Sequence, residues 1–145
     1  MRLLIQRVKE AKVIADGEES GKISHGLLVF LAVHKGDGEK PITWLVEKLV
    51  NLRIFSDEEG KMNRSVQDVG GGILLVSQFT LYAGCEKGRR PDFVNTMSGP
   101  EAERLYNRFQ EELKKRYENV ATGRFGAFME VSLTNDGPVT LLLEK

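Results

Sequence analysis

The sequence predicts a single mixed α/β domain spanning residues 1–145, a strand-rich, barrel-like sheet carrying two main helices. Three observations predict it. Short apolar or alternating runs recur from end to end, punctuated by Gly, Asp and Asn, as strands require. Two other segments carry apolar residues at helical spacing instead. No repeat, low-complexity stretch or linker interrupts the 145 residues, a length that suits one domain with a real core.

Residues 3–8 read as the first strand, with Ile5 and Arg7 on one face and Leu4, Gln6 and Val8 on the other. Arg7 is then either buried, and in need of partners, or at a strand end in solvent. Residues 12–16 read as a second strand, Asp16-Gly17 as a strong turn signal, and residues 19–24 as the weaker return. The run Leu27-Leu28-Val29-Phe30-Leu31-Ala32-Val33 suits a central strand covered on both faces. His34 follows directly, where a lone His is more often structural or solvated than catalytic. After a polar loop at 35–40, Pro41 opens a helix at a favoured first-turn position. Ile42, Leu45, Val46 and Leu49 give that helix one apolar face, with Trp44 beside it. Arg53-Ile54-Phe55 reads as a short strand before a polar turn at 56–60.

Gly70-Gly71-Gly72 precedes another buried strand, Ile73-Leu74-Leu75-Val76. A glycine run cradles phosphate where it opens a helix; this one opens a strand, which rejects a phosphate loop. The strand ends in Ser77-Gln78-Phe79-Thr80-Leu81, hydrogen-bonding side chains around one aromatic, which reads equally as pocket lining or strand capping. Residues 86–91 form a basic loop, solvated or able to grip phosphate. Ser98-Gly99-Pro100-Glu101 fits a capping box for a helix running to about Tyr117. Its apolar face is Ala102, Leu105, Tyr106, Phe109 and Leu113, and its basic residues read as a solvated face. After the glycine-flanked loop Thr122-Gly123-Arg124-Phe125-Gly126, Met129, Val131 and Leu133 alternate with polar residues in a half-buried strand. Asn135-Asp136-Gly137-Pro138 then interrupts it before a last apolar strand. Gly137-Pro138 is either a hairpin turn that happens to contain Pro or a rigid backbone element, with a cis bond as one form. Long apolar strands need covered edges, which a homodimer would supply.

Charge is balanced, 21 basic against 21 acidic residues, which disfavours a protein that coats a phosphate backbone but permits one that grips a nucleic-acid end. The single cysteine, Cys85, fits a reducing compartment. With no signal-peptide pattern and no membrane-length apolar run, a cytoplasmic location is expected. His25 and His34 are too few for a His-rich metal site, there is no zinc-type Cys/His spacing, and no G-x-S-x-G elbow is present. No metal or cofactor is therefore expected. A polar pocket at 77–80 and a rigid Gly-Pro step remain. Such a site can orient and polarise a labile ester without a strong base.

Ser77-Gln78-Phe79-Thr80 together with Asn135-Asp136-Gly137-Pro138-Val139-Thr140 resemble the two signature motifs of the D-aminoacyl-tRNA deacylases. Leu4-Ile5-Gln6-Arg7-Val8, Arg53-Ile54-Phe55, Gly60-Lys61-Met62-Asn63, Arg90-Pro91 and Thr122-Gly123-Arg124-Phe125 are similar to further family segments, so the likeness runs nearly end to end. One departure is Asp92, where the family pattern leads one to expect a small residue such as Ser. The resemblance implies a homodimeric, cytoplasmic enzyme that hydrolyses the ester between a D-amino acid and tRNA, with mischarged glycyl-tRNA as a second substrate. It implies that Gly137-Pro138 is cis, enters the partner subunit's pocket and leaves no room for an L side chain. Steric rejection by backbone suits substrates with varied side chains. Arg7 is then expected to hold that element. Ser77, Gln78, Phe79 and Thr80 are expected to form the catalytic pocket, with Gln78 and the backbone around Phe79 and Thr80 orienting the carbonyl and amino group. The terminal 2′-hydroxyl of the tRNA is expected to assist. An alternative makes Thr80 the nucleophile, but no base is visible to activate it. Phe125 and Met129 are expected to pack the terminal adenine, with core packing as the other reading; Lys87, Arg89 and Arg90 either touch tRNA phosphates or form a solvated loop. Two further alternatives are a non-catalytic dimeric RNA-end binding module and a small-ester hydrolase using Thr80.

Overall fold

The computed structural model describes residues 1–86 and 88–145. In chain order the elements are β1 (Arg2–Ala15), β2 (Glu18–Ile23), β3 (Gly26–Ala32), α1 (Lys40–Asn51), β4 (Phe55–Ser56), β5 (Met62–Arg64), β6 (Gly72–Ser77), a 3-10 helix (Phe79–Tyr82), α2 (Gly99–Arg116), β7 (Val120–Thr122) and β8 (Met129–Glu144). The fold is mixed α/β, a nearly closed barrel-like sheet with two helices against it.

β1 is the spine. Along one edge its first half pairs antiparallel with β3 and its second half with β2, while β8 runs antiparallel along the other edge. β6 lies parallel to β3, and β7 parallel to β6, giving the order β2-β1-β3-β6-β7. The sheet curls until β2 meets β7. A side chain at Gly21 would put its Cβ 2.7 Å from the Thr122 carbonyl oxygen, so the close approach requires glycine there. β4 and β5 form a separate hairpin.

Alternation within the strands sorts two cores. Leu27, Val29, Leu31, Ile73 and Leu75 face outward to Leu45, Val46 and Leu49 of α1 and Leu105, Tyr106, Phe109 and Leu113 of α2. Leu28, Leu74 and Val76 face the barrel interior with Val8, Ala11, Val13 and Ile23. The continuous apolar runs are thus covered on both faces, as predicted. Each fully buried Leu, Ile or Val side chain contributes about 1.5–3 kcal/mol. Among the described residues, no helix is long and apolar enough to cross a membrane.

Three local expectations are corrected. The strands predicted at 3–8 and 12–16 are one strand: exposed Lys9 and Glu10 mark a register shift against β8 and the place where β3 gives way to β2. The short strand predicted at 53–55 begins only at Phe55. Ser98 occupies the N-cap of α2 but its side chain makes no capping bond, and the Glu101 carboxylate that would reach back to it is held by Arg104 at 2.9 Å.

Candidate functional site

A cleft of about 370 Å³ opens at the carboxyl ends of the parallel strands β3 and β6, the end of an α/β sheet where ligands tend to bind. Ser77, the last residue of β6, and Gln78 line it beside Val33, Val76 and Met97. The Gln78 backbone N–H donates to the Leu31 carbonyl at 2.8 Å, the last tie to β3. Beyond it the chain tightens into the 3-10 helix, with Leu81 N–H donating to Gln78 O at 3.3 Å and Ala83 N–H to Thr80 O at 3.0 Å. The sequence reading, which kept residues 79–81 on the strand end, missed this switch. Strand β7 stops at Thr122, opposite Leu75, so the last residues of β6 are paired on the β3 side alone. Phe79 sits at the rim, half-exposed, its ring 5.2 Å from that of Phe93. Thr80 points elsewhere: it is exposed and does not line the cleft.

The opposite wall comes from the segment after β7 and the start of β8. Phe125 packs against Tyr106 with ring centroids 5.5 Å apart, and Met129 closes the barrel side. A Cβ at Gly123 would lie 2.7 Å from the Met129 sulfur, so Gly123 is what lets that thioether take its place. Sequence reasoning missed Ala127, Phe128 and the Tyr106 contribution. Phe128 is 78% exposed at the cleft edge, and no periodicity reports an aromatic turned outward just before a half-buried strand.

Among the described residues lining the cleft there is no Asp, Glu, His, Lys or Arg. Tyr106 is the one titratable group there; burial pushes its phenol up, and its O–H donates to the Leu75 carbonyl at 3.1 Å. The Gln78 amide donates to the Thr80 hydroxyl. A carboxamide takes no proton, so this contact orients Thr80 and does not activate it. The cleft offers donors, acceptors and apolar walls, and its described lining offers no general base.

Gly137 and Pro138 lie outside this cleft. They are not a hairpin turn, because β8 keeps its direction along β1 on both sides of them. Pairing runs through Asn135 to Val8 and resumes at Thr140 with Gln6, so residues 136–139 bulge outward opposite Arg7. The Gly137-Pro138 bond is cis, both residues are exposed, and Gly137 sits at φ +123°, where L side chains are strained. Arg7 is only 9% exposed, which excludes a solvated strand end. Its Nε lies 3.2 Å from the Asp136 carbonyl oxygen and 3.0 Å from Asp136 Oδ2, and its Nη1 donates to the Ile54 carbonyl.

Residues 4–144 match the family described as D-Tyr-tRNA(Tyr) deacylase. The chain belongs to that family. The D-aminoacyl-tRNA deacylases of Clostridium botulinum strain 657 and Bacillus cereus strain AH187 are each 54% identical to it over 144 residues, 99% of this chain and 97% and 99% of theirs. Among solved structures it is similar to the c-Myc DNA Unwinding Element Binding Protein, with TM-score 0.93 and 44% identity over 100% of this chain and 99% of that one. A probable eukaryotic D-amino acid tRNA deacylase shares the fold at TM-score 0.83 and 18% identity, over 98% and 97% of the two chains.

One departure from the deacylase pattern now has a structural account. Asp92 and Gly84 exchange two backbone hydrogen bonds, 2.8 and 2.9 Å, that close the base of the basic loop, and Asp92 Oδ1 accepts from Val94 N–H at 3.3 Å. Arg89 and Arg90 are exposed on that loop. Lys87, the third basic candidate, lies outside the described residues.

Proposed function

We propose that this chain hydrolyses the ester joining a D-amino acid, or glycine, to the 3′ end of tRNA, and that it does so as a homodimer in the cytoplasm. Family membership supports the reaction class. The observation that carries the chemistry is a cleft whose described lining holds Ser77, Gln78 and Ser98 but no carboxylate, imidazole, amine or guanidinium. An aminoacyl ester is labile enough for orientation and placed donors to suffice. The proton handling then falls to the substrate: the terminal 2′-hydroxyl assists as water adds to the ester carbonyl and the 3′ oxygen leaves. Ser77, Gln78 and the backbone around Phe79 and Thr80 hold the carbonyl and amino group. Phe125 and Met129 pack the terminal adenine, where stacking on an aromatic is worth about 1–3 kcal/mol.

Gly137 and Pro138 project from their own subunit instead of lining its cleft, which supports their entry into the cleft of a second copy. There the backbone of residues 137–138 excludes an L side chain and admits D-residues and glycine. The outer edge of β8 has no strand partner among the described residues, and Leu142 is 58% exposed along it, which supports a self-association surface.

The test is release of D-Tyr, glycine and L-Tyr from charged tRNA. Release of D-Tyr and glycine with L-Tyr retained is expected. No release of any of them identifies a binding module without hydrolysis, and equal release of D-Tyr and L-Tyr removes the filter. Replacing the terminal 2′-hydroxyl by hydrogen should slow release greatly; an unchanged rate rules out assistance by the RNA.

A further inference from the structure

We propose that Asn135 and Thr140 are positioning residues that fix the Gly137-Pro138 bulge and thereby set the ratio of D to L hydrolysis; the inference rests on the filter reading above. Four residues of β8 bulge opposite a single residue of β1, so ladder hydrogen bonds cannot close the excursion. Pro138 has no N–H to contribute. The first donor after it, Val139 N–H, is accepted by Asn135 Oδ1 at 3.0 Å, which ties the exit of the bulge to its entry. Because a backbone N–H can only donate, that contact fixes the amide orientation and turns Asn135 Nδ2 towards Thr140, whose Oγ1 accepts at 3.0 Å. Gln6 Nε2 donates to the same hydroxyl oxygen at 3.3 Å, so both acceptor positions of Thr140 are filled from two strands. Arg7 grips Asp136 at the entry. It does not close the exit. Asn135 alone among these side chains bonds to backbone on the far side of Pro138.

The geometry requires one planar group that accepts on one side and interacts with a hydroxyl on the other. Aspartate meets that requirement, since its second oxygen can accept from the Thr140 O–H; alanine does not. A side chain that served only to hold the fold would lower D and L rates together. One that holds the filter changes their ratio.

The experiment compares single-turnover release of D-Tyr and L-Tyr from charged tRNA, and amide exchange at Val139, for the wild type, Asn135→Ala, Asn135→Asp and Thr140→Val. In Asn135→Ala the D-to-L ratio should fall at least about tenfold and the Val139 amide exchange at least about tenfold faster, the scale of a lost hydrogen bond. Asn135→Asp should restore both, and Thr140→Val should lower the ratio by about two- to tenfold. An unchanged ratio in a folded Asn135→Ala protein overturns the proposal, as does a Val139 amide that stays protected. If Asn135→Ala does not fold, Thr140→Val decides, and an unchanged ratio there overturns the proposal. A wild type that releases both amino acids equally removes the filter itself and this role with it, while Val139 exchange still reports separately whether the closure exists.

Discussion

Arg7 and Thr80 show how far single residues can be read. That Arg7 sits within an apolar strand follows from alternation, and so does its need for partners if buried. Which partners it finds does not, because Ile54 and Asp136 are 47 and 129 residues away in sequence. Thr80 was grouped with Ser77, Gln78 and Phe79 because the four are contiguous. The 3-10 turn separates it from the cleft the other three line. Its hydroxyl accepts from an amide that cannot serve as a base. Thr80→Ala should therefore lower the single-turnover rate on D-Tyr-tRNA by no more than about tenfold, one hydrogen bond's worth. Abolished release with normal tRNA affinity would make Thr80 the nucleophile after all.

The elements were legible wherever one period persisted. Both helices and the buried strands β3 and β6 follow from spacing alone. What failed was the reading of interruptions. Polar Lys9-Glu10 looked like a strand end and is a change of partner; Asn135-Asp136-Gly137-Pro138 allowed a hairpin and is a bulge in a strand that continues. Pattern breaks of these kinds look alike in sequence, because they differ in pairing and not in composition. Ser98-x-x-Glu101 matched a capping box, yet Arg104, three residues further along the helix, competes for the carboxylate. Ser98→Ala should then cost well under the ~1 kcal/mol of a working N-cap, measured by denaturant unfolding; a loss of that size or more would show that the cap forms in solution. Gly123→Ala tests the cleft wall. Its methyl must displace the Met129 sulfur, so D-Tyr-tRNA should bind about tenfold or more weakly while α1 and α2 stay intact by circular dichroism. Unchanged affinity would remove Met129 from the binding surface.

At the scale of the molecule, the three tyrosines share one sign. Desolvation raises the phenols of Tyr82, Tyr106 and Tyr117 above their ordinary value near 10. Because the folded state holds these protons more tightly, their contribution to stability is complete below about pH 10 and is lost as pH rises through the folded values. Thermal stability should therefore decline from about pH 10 upward; a midpoint still constant at pH 11 would contradict the burial of these rings. The largest consequence comes from β8. Its first residue, Met129, lines the cleft of its own chain, while Gly137 and Pro138, on the same strand, lie outside it. If they serve a neighbour, each subunit inherits its fidelity from the other. Gln78→Ala damages a subunit's own cleft, and Gly137→Ala damages the filter it lends. Co-assembling the two variants should regenerate, in each mixed dimer, one complete discriminating site built from an intact cleft and an intact borrowed filter. The second site carries both lesions. Mixed preparations should thus regain selective D-Tyr release that neither parent shows, and a mixture no more selective than its parents would mean that each chain proofreads alone.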